Sequence, residues 1–121
     1  SGTTTVRGNL STNNVAVTNL YSKRPAVSVT TNTVIDSFDI NTYRSAKYTL
    51  KVSDNTGYQA LEVLLIHDSI NSLITVYGSL SMTGLDLVTL SSTISGSNVQ
   101  LLATALNSGT SVNLMGTYIS D

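Results

Sequence analysis

"SAKYTLKVSDNTGYQALEVLLIHDSINSL", residues 45–73, decides the fold. Its first eight residues alternate, with Ala46, Tyr48, Leu50 and Val52 on one side and Ser45, Lys47, Thr49 and Lys51 on the other. Successive side chains of a strand point to opposite faces, so this is a strand with one buried and one wet face. "SDNTG" follows, built from residues that tolerate left-handed turn conformations. The next run, "YQALEVLLIHD", is apolar on both faces from Leu61 to Ile66 apart from Glu62. That pattern reads as a central strand, closed by the turn "DSINS". A helix over residues 60–73 is the rival, because Ala60, Leu61, Leu64 and Leu65 permit one. The β-branched residues and the Asn/Ser cluster favour strand–turn–strand.

The same grammar extends along the rest of the chain. "TVIDSFDI" (33–40), "LITVYGSL" (73–80), "LVTLSSTI" (87–94), "VQLLATAL" (99–106) and "TSVNLMGTYI" (110–119) read as strands, separated by Gly/Asn/Ser turns such as "SGSN" and "NSGT". Strands of this length at this spacing predict an all-β fold, an antiparallel β-sandwich of jelly-roll-like type over residues 34–121. The expected core includes Phe38, Tyr48, Leu50, Val52, Leu64, Ile66, Val76, Leu101 and Leu114.

Residues 1–33 differ. Val6, Leu10, Val15, Val17, Leu20, Val27 and Val29 stand singly among Thr, Asn and Ser, and Tyr21 is the one aromatic there. Ordering a backbone residue costs roughly 1–2 kcal/mol. Apolar burial returns about 25 cal/mol per Å², too little here for the segment to order alone. Residues 1–33 are therefore expected to be an extended attachment or oligomerisation segment, with Val15, Val17, Val27 and Val29 as candidate interface residues against other chains.

Composition narrows the function classes. The chain holds 18 Ser, 18 Thr and 11 Asn, whereas charged residues make up 11% and the net charge is −1. A surface wetted by hydroxyls and amides points to a secreted, surface or virion protein. The near-neutral charge gives no field for nucleic acid. No apolar run is long enough to span a bilayer, so no membrane insertion is expected. Cysteine is absent, which removes disulfides and thiolate metal sites.

The chemistry-bearing residues are few. Arg44, Lys47 and Lys51 supply half of the basic residues within eight positions. They form a candidate surface basic patch, read as a solvated strand face because Tyr48 falls on the opposite side. His67 is the only histidine and precedes Asp68 and Ser69. Neighbours in a strand face opposite ways, so the three do not make a relay. The carboxylates Asp36, Asp39, Asp54, Glu62, Asp68, Asp86 and Asp121 show no metal-ligand or acid/base spacing. Glu62 is expected to face solvent or to pair with Lys47 or Lys51. No cofactor, metal or catalytic residue is expected.

"IDSFDINTYRSAKYTLKVSDNTGYQALEVLLIHDSINSLITVYGSLSM" (35–82), with "ISGSNVQLLATAL" (94–106) and "VNLMGTYI" (112–119), resembles a module of virion structural and tail-fibre-like proteins of tailed bacteriophages. The module is common in phages of marine cyanobacteria. The resemblance covers about residues 34–119. Residues 3–33 resemble the Thr/Asn/Ser-rich stretches that precede such modules and form slender β-structure, commonly in trimers. The resemblance implies a non-enzymatic fibre or decoration module in the virion, homo-oligomeric and in contact with other virion proteins. It transfers no catalytic or ligand residues. Two further readings stand beside it: a receptor- or glycan-binding module at a fibre tip, and a small β-sandwich hydrolase or lyase resting on His67 and the scattered carboxylates.

Overall fold

The structure, a computed structural model, describes residues 2–3, 5–9, 11 and 21–120. Among the described residues are eight antiparallel strands: β1 (Tyr21–Ser28), β2 (Thr33–Asp39), β3 (Tyr43–Ser53), β4 (Tyr58–His67), β5 (Ser72–Ser81), β6 (Val88–Ser95), β7 (Asn98–Ala105) and β8 (Ser111–Ser120). They form two layers, a five-stranded sheet ordered β1-β8-β3-β4-β5 and a three-stranded sheet ordered β2-β7-β6. The expected antiparallel sandwich is thus the observed fold, and residues 60–67 are strand. Pairing β1 with β8 and β2 with β7 in opposite sheets is the jelly-roll winding. The β3-β4-β5 meander within one sheet departs from it.

The β3–β4 hairpin follows the sequence reading closely. Lys47 faces Leu64, Thr49 faces Glu62 and Leu50 faces Leu61 across the pair. Ala46, Tyr48, Leu50 and Val52 are buried, and Lys47, Thr49 and Lys51 are exposed. On β4 the buried residues are Gln59, Leu61, Val63, Leu65 and His67. Leu64 is 47% and Ile66 52% exposed, contrary to their expected place in the core. β4 is apolar on both faces, so alternation could not say which face turns inward. The deciding residues are Gln59 and His67, whose buried hydrogen bonds need the inner side. Val76 also leaves the expected core, at 43% exposed. It sits opposite Val63, but on β5, the last strand of the wider sheet, where the narrower second sheet gives less cover.

Four register shifts interrupt the ladders, one of them on β5 at Tyr77, between the Glu62–Gly78 and Val63–Val76 pairs. On β2 the register slips between Val34 and Asp36, so Ile35 and Asp36 are both buried instead of alternating. On β3 it slips between Tyr43 and Ser45, at Arg44. On β1 it slips between Arg24 and Val27, around Pro25, which has no N–H to give a ladder and is tolerated on an edge strand.

Residues 21–29, expected in the attachment segment, belong to the sandwich. β1 hydrogen-bonds along β8, Val29 is 4% exposed within the core, and Val27 packs partly buried against it. Val29 is therefore not available to another chain. The partner that the segment needs for ordering is, over this stretch, β8 of the same chain. Val15 and Val17 lie outside the described residues.

Candidate functional site

Two regions gather polar chemistry. The first is the end of the sandwich where β4 stops. His67 is buried. Its Nε2 lies 2.7 Å from the Tyr43 carbonyl, which only accepts, so Nε2 carries the proton. Its Nδ1 accepts the Ser69 N–H at 3.0 Å. Ser69 reaches back because its φ is +77°, in the left-handed region. Arg44, pushed out of the ladder by its bulge, donates Nη1 to the His67 carbonyl (3.2 Å) and to Ser69 Oγ (3.3 Å), with the same nitrogen 3.4 Å from His67 Nδ1. Arg44 thus ties down the β4–β5 turn, whereas Lys47 and Lys51 stand exposed on the outer face. The expected three-residue basic patch is not assembled. Asp68 does not face the imidazole. Its Oδ1 accepts the N–H groups of Asn71 (2.7 Å) and Ile70 (2.9 Å), which hold its carboxyl below the usual carboxylate range, helped by Arg44.

Behind this end lies a buried polar group that sequence reasoning missed. Asp36 Oδ2 accepts the hydroxyls of Tyr48 at 2.7 Å and Tyr118 at 2.8 Å. Phe38, Tyr43 and Tyr118 pack on one another with ring centroids 5.1–6.2 Å apart, and Phe38 also meets His67 at 6.0 Å. Gly116 lies opposite Tyr48, and a Cβ there would come within 2.7 Å of Tyr118 Oη and 3.1 Å of Tyr48 Cε1. The missing side chain is what lets both tyrosines reach one carboxyl. The sequence signal was an Asp inside an apolar strand with two Tyr elsewhere, too common to be diagnostic.

The second region is the opposite loop end. Asp54 caps the β3–β4 turn: its Oδ1 accepts Thr56 Oγ1 (2.6 Å), the Thr56 N–H (2.7 Å) and the Gly57 N–H (3.2 Å). Asn107, from the β7–β8 connection, donates to Asp54 Oδ2 at 3.0 Å. These bonds, the Thr56 hydroxyl foremost, lower the Asp54 pKa. Buried Gln59 organises the neighbouring β5–β6 crossover, donating to Ser79 Oγ (3.0 Å) and Asp86 Oδ1 (2.9 Å) and accepting the Leu87 N–H (2.8 Å). Between these connections opens a cleft of about 420 Å³ lined by Thr56, Thr83, Asp86 and Asn107, with Leu85 and Leu106 as apolar walls. Among the described residues no group of three His or carboxylate side chains is placed to hold a metal ion.

No family model matches the chain, and no curated protein matches it. Its likeness is to solved structures. The tailspike protein of Acinetobacter baumannii phage AM24 superposes at a TM-score of 0.51 with 11% identity, over 84% of this chain and 26% of that one. The tailspike protein of Acinetobacter phage vB_ApiP_P1 gives 0.46 and 15%, over 93% and 25%. The tailspike gp49 of Acinetobacter baumannii bacteriophage Fri1, a capsular polysaccharide depolymerase, gives 0.45 and 13%, over 83% and 17%. The chain spans about a quarter of the AM24 protein's length, and at this identity the likeness is one of fold.

Proposed function

We propose that this chain is a module of a bacteriophage tail fibre or tailspike-like protein, acting in the virion as a structural and attachment element and not as a catalyst. The observation that carries this reading is the common fold with a phage tailspike over most of the chain. The sequence resemblance at residues 34–119 and the hydroxyl- and amide-rich surface support it. Support for the non-catalytic part is chemical. Both ring nitrogens of His67 are engaged by backbone groups, Asp54 and Asp68 are turn caps, and Asp36 lies under two tyrosine hydroxyls. Antibodies raised against the folded chain should decorate the tails of intact virions in electron micrographs. Particles that carry the gene and stay unlabelled would overturn the reading.

A glycan-binding role is favoured by one feature, the loop-end cleft. Hydroxyls of Thr56 and Thr83, the Asp86 carboxyl and the Asn107 amide beside Leu walls are the mixture that sugar hydroxyls and C–H faces match. Titration with host surface polysaccharide fragments tests it. Binding that is lost in Asn107→Ala would support a cleft ligand, and binding unchanged in that variant would exclude this location.

A further inference from the structure

The cleft between the β3–β4, β5–β6 and β7–β8 connections has a one-sided hydrogen-bonding character. Its donors are directed into the protein by groups that only accept. Thr56 commits its single hydroxyl proton to Asp54 Oδ1 at 2.6 Å. Asn107 turns its amide nitrogen to Asp54 Oδ2 at 3.0 Å, which puts the amide oxygen on the other side. Thr83 donates to the Leu85 carbonyl at 3.3 Å and accepts the Leu85 N–H at 3.2 Å. Asp86 is exposed, and its Oδ1 receives Gln59 Nε2 at 2.9 Å. Gln59 is held in that orientation because its Oε1 accepts the Leu87 N–H at 2.8 Å. Among the described residues no donor reaches Asp86 Oδ2. The side chains of the rim therefore offer a ligand lone pairs, with one carboxylate oxygen among them. No Lys or Arg lines the cleft. Leu85 and Leu106, 72% and 51% exposed, supply an apolar wall.

We propose that this cleft selects a sugar carrying a free, protonated amine over its acetylated and acidic counterparts. The proposal rests on the glycan reading of the cleft for its location and adds the charge of the ligand. An ammonium group brings only donors, which is what a rim of lone pairs needs. At Asp86 Oδ2 it makes a charge-assisted bond, roughly twice as strong as a neutral one. Asp54, directly behind Thr56 and Asn107, adds to the negative field. Hydroxyls of the ring donate to the Asn107 and threonine oxygens, and its C–H face lies on the leucines. A carboxylate-bearing sugar meets like charge and no basic partner. Acetylation removes the charge. The cleft, about 420 Å³, lies within the roughly 300–1,000 Å³ of small-molecule sites. A metal ion fits less well. A hard cation such as calcium takes about six to eight oxygens, and among the described residues no group of three His or carboxylate side chains is placed to hold one.

The test is a titration of the intact chain with glucosamine, N-acetylglucosamine and glucuronate at about pH 6, where an amine is protonated. Amide NMR shifts of Thr56, Thr83, Asp86 and Asn107 report binding. Glucosamine should bind at least about tenfold more tightly than N-acetylglucosamine, with glucuronate weakest. Asp86→Asn should bring glucosamine down to the level of N-acetylglucosamine, and the new side chain keeps an oxygen for Gln59. Glu62→Gln makes the same change of net charge on the outer face of β4 and should leave the preference intact. The ranking of the three sugars on the wild-type chain decides the matter even where a variant folds poorly. Equal binding of all three would keep a sugar cleft and overturn the charge selection. A preference that survives in folded Asp86→Asn would also overturn the proposal. Shifts in none of the four residues would overturn both the proposal and the glycan reading.

Discussion

The hydroxyl of Tyr48 donates to Asp36 Oδ2 at 2.7 Å, joining the middle of one sheet to a bulged strand of the other. Tyr48 has no exposed surface and Asp36 has 3%, so the bond is made away from water. Leaving a buried acceptor short of a donor costs about 1–3 kcal/mol. Tyr48→Phe should lower the urea midpoint by a stability change of that size at unchanged m-value. A variant as stable as wild type would show that the bond contributes nothing net.

Gly116→Ala tests the same cluster from the opposite side. The added methyl would lie 2.9 Å from Tyr118 Cζ and 2.7 Å from its hydroxyl, so the ring must move off Asp36. Overpacking of this kind costs about 1–3 kcal/mol. The loss should be smaller when Gly116→Ala is made in a Tyr118→Ala background, because only the milder 3.1 Å approach to Tyr48 Cε1 then remains. Additive losses would contradict the contact.

Gln59 is the polar residue whose loss should be felt farthest. Gln59→Leu leaves the buried Leu87 N–H without its acceptor and releases Ser79 and Asp86. An unsatisfied buried group costs about 1–3 kcal/mol. Amide exchange should rise in residues 82–88 before it rises in β3. Uniform exchange across the chain would argue against a local role.

Low pH should loosen both turns. Asp54 and Asp68 have folded pKa values below their ordinary ones, so the folded chain binds fewer protons than the unfolded chain as pH falls through the carboxylate range. Their contribution is present above the unfolded pKa, near pH 4. It is lost as pH drops through the lower folded values. The thermal midpoint should be flat above about pH 5 and fall below about pH 4. Asp54→Asn and Asp68→Asn should each flatten that fall; a midpoint that rises on acidification would contradict the assignment.

Much of the sandwich was legible because β3 alternates without interruption from Ser45 to Val52 and its turn residues are unambiguous. Where a bulge intervenes, alternation misleads: Ile35 and Asp36 are neighbours and both buried, and Arg44 leaves the basic row because the ladder slips beneath it. The burial of Gln59 and His67 is not legible in the sequence, since their partners Asp86, Leu87, Tyr43 and Ser69 are brought in only by the fold. His67→Ala should cost about 2–4 kcal/mol, because it leaves a cavity against Phe38 and unpairs the Ser69 N–H. Leu64 and Ile66 read as core residues because β4 has two apolar faces. What the sequence of one chain does not say is which face that chain itself covers.

The central claim is that each chain completes its own sandwich through β1. An isotope-filtered NOE measurement on a mixture of labelled and unlabelled chains tests it most directly. Contacts of Val27 with Val112, paired across β1 and β8, should be intramolecular only. Intermolecular contacts between Val27 and Val112 would contradict the account.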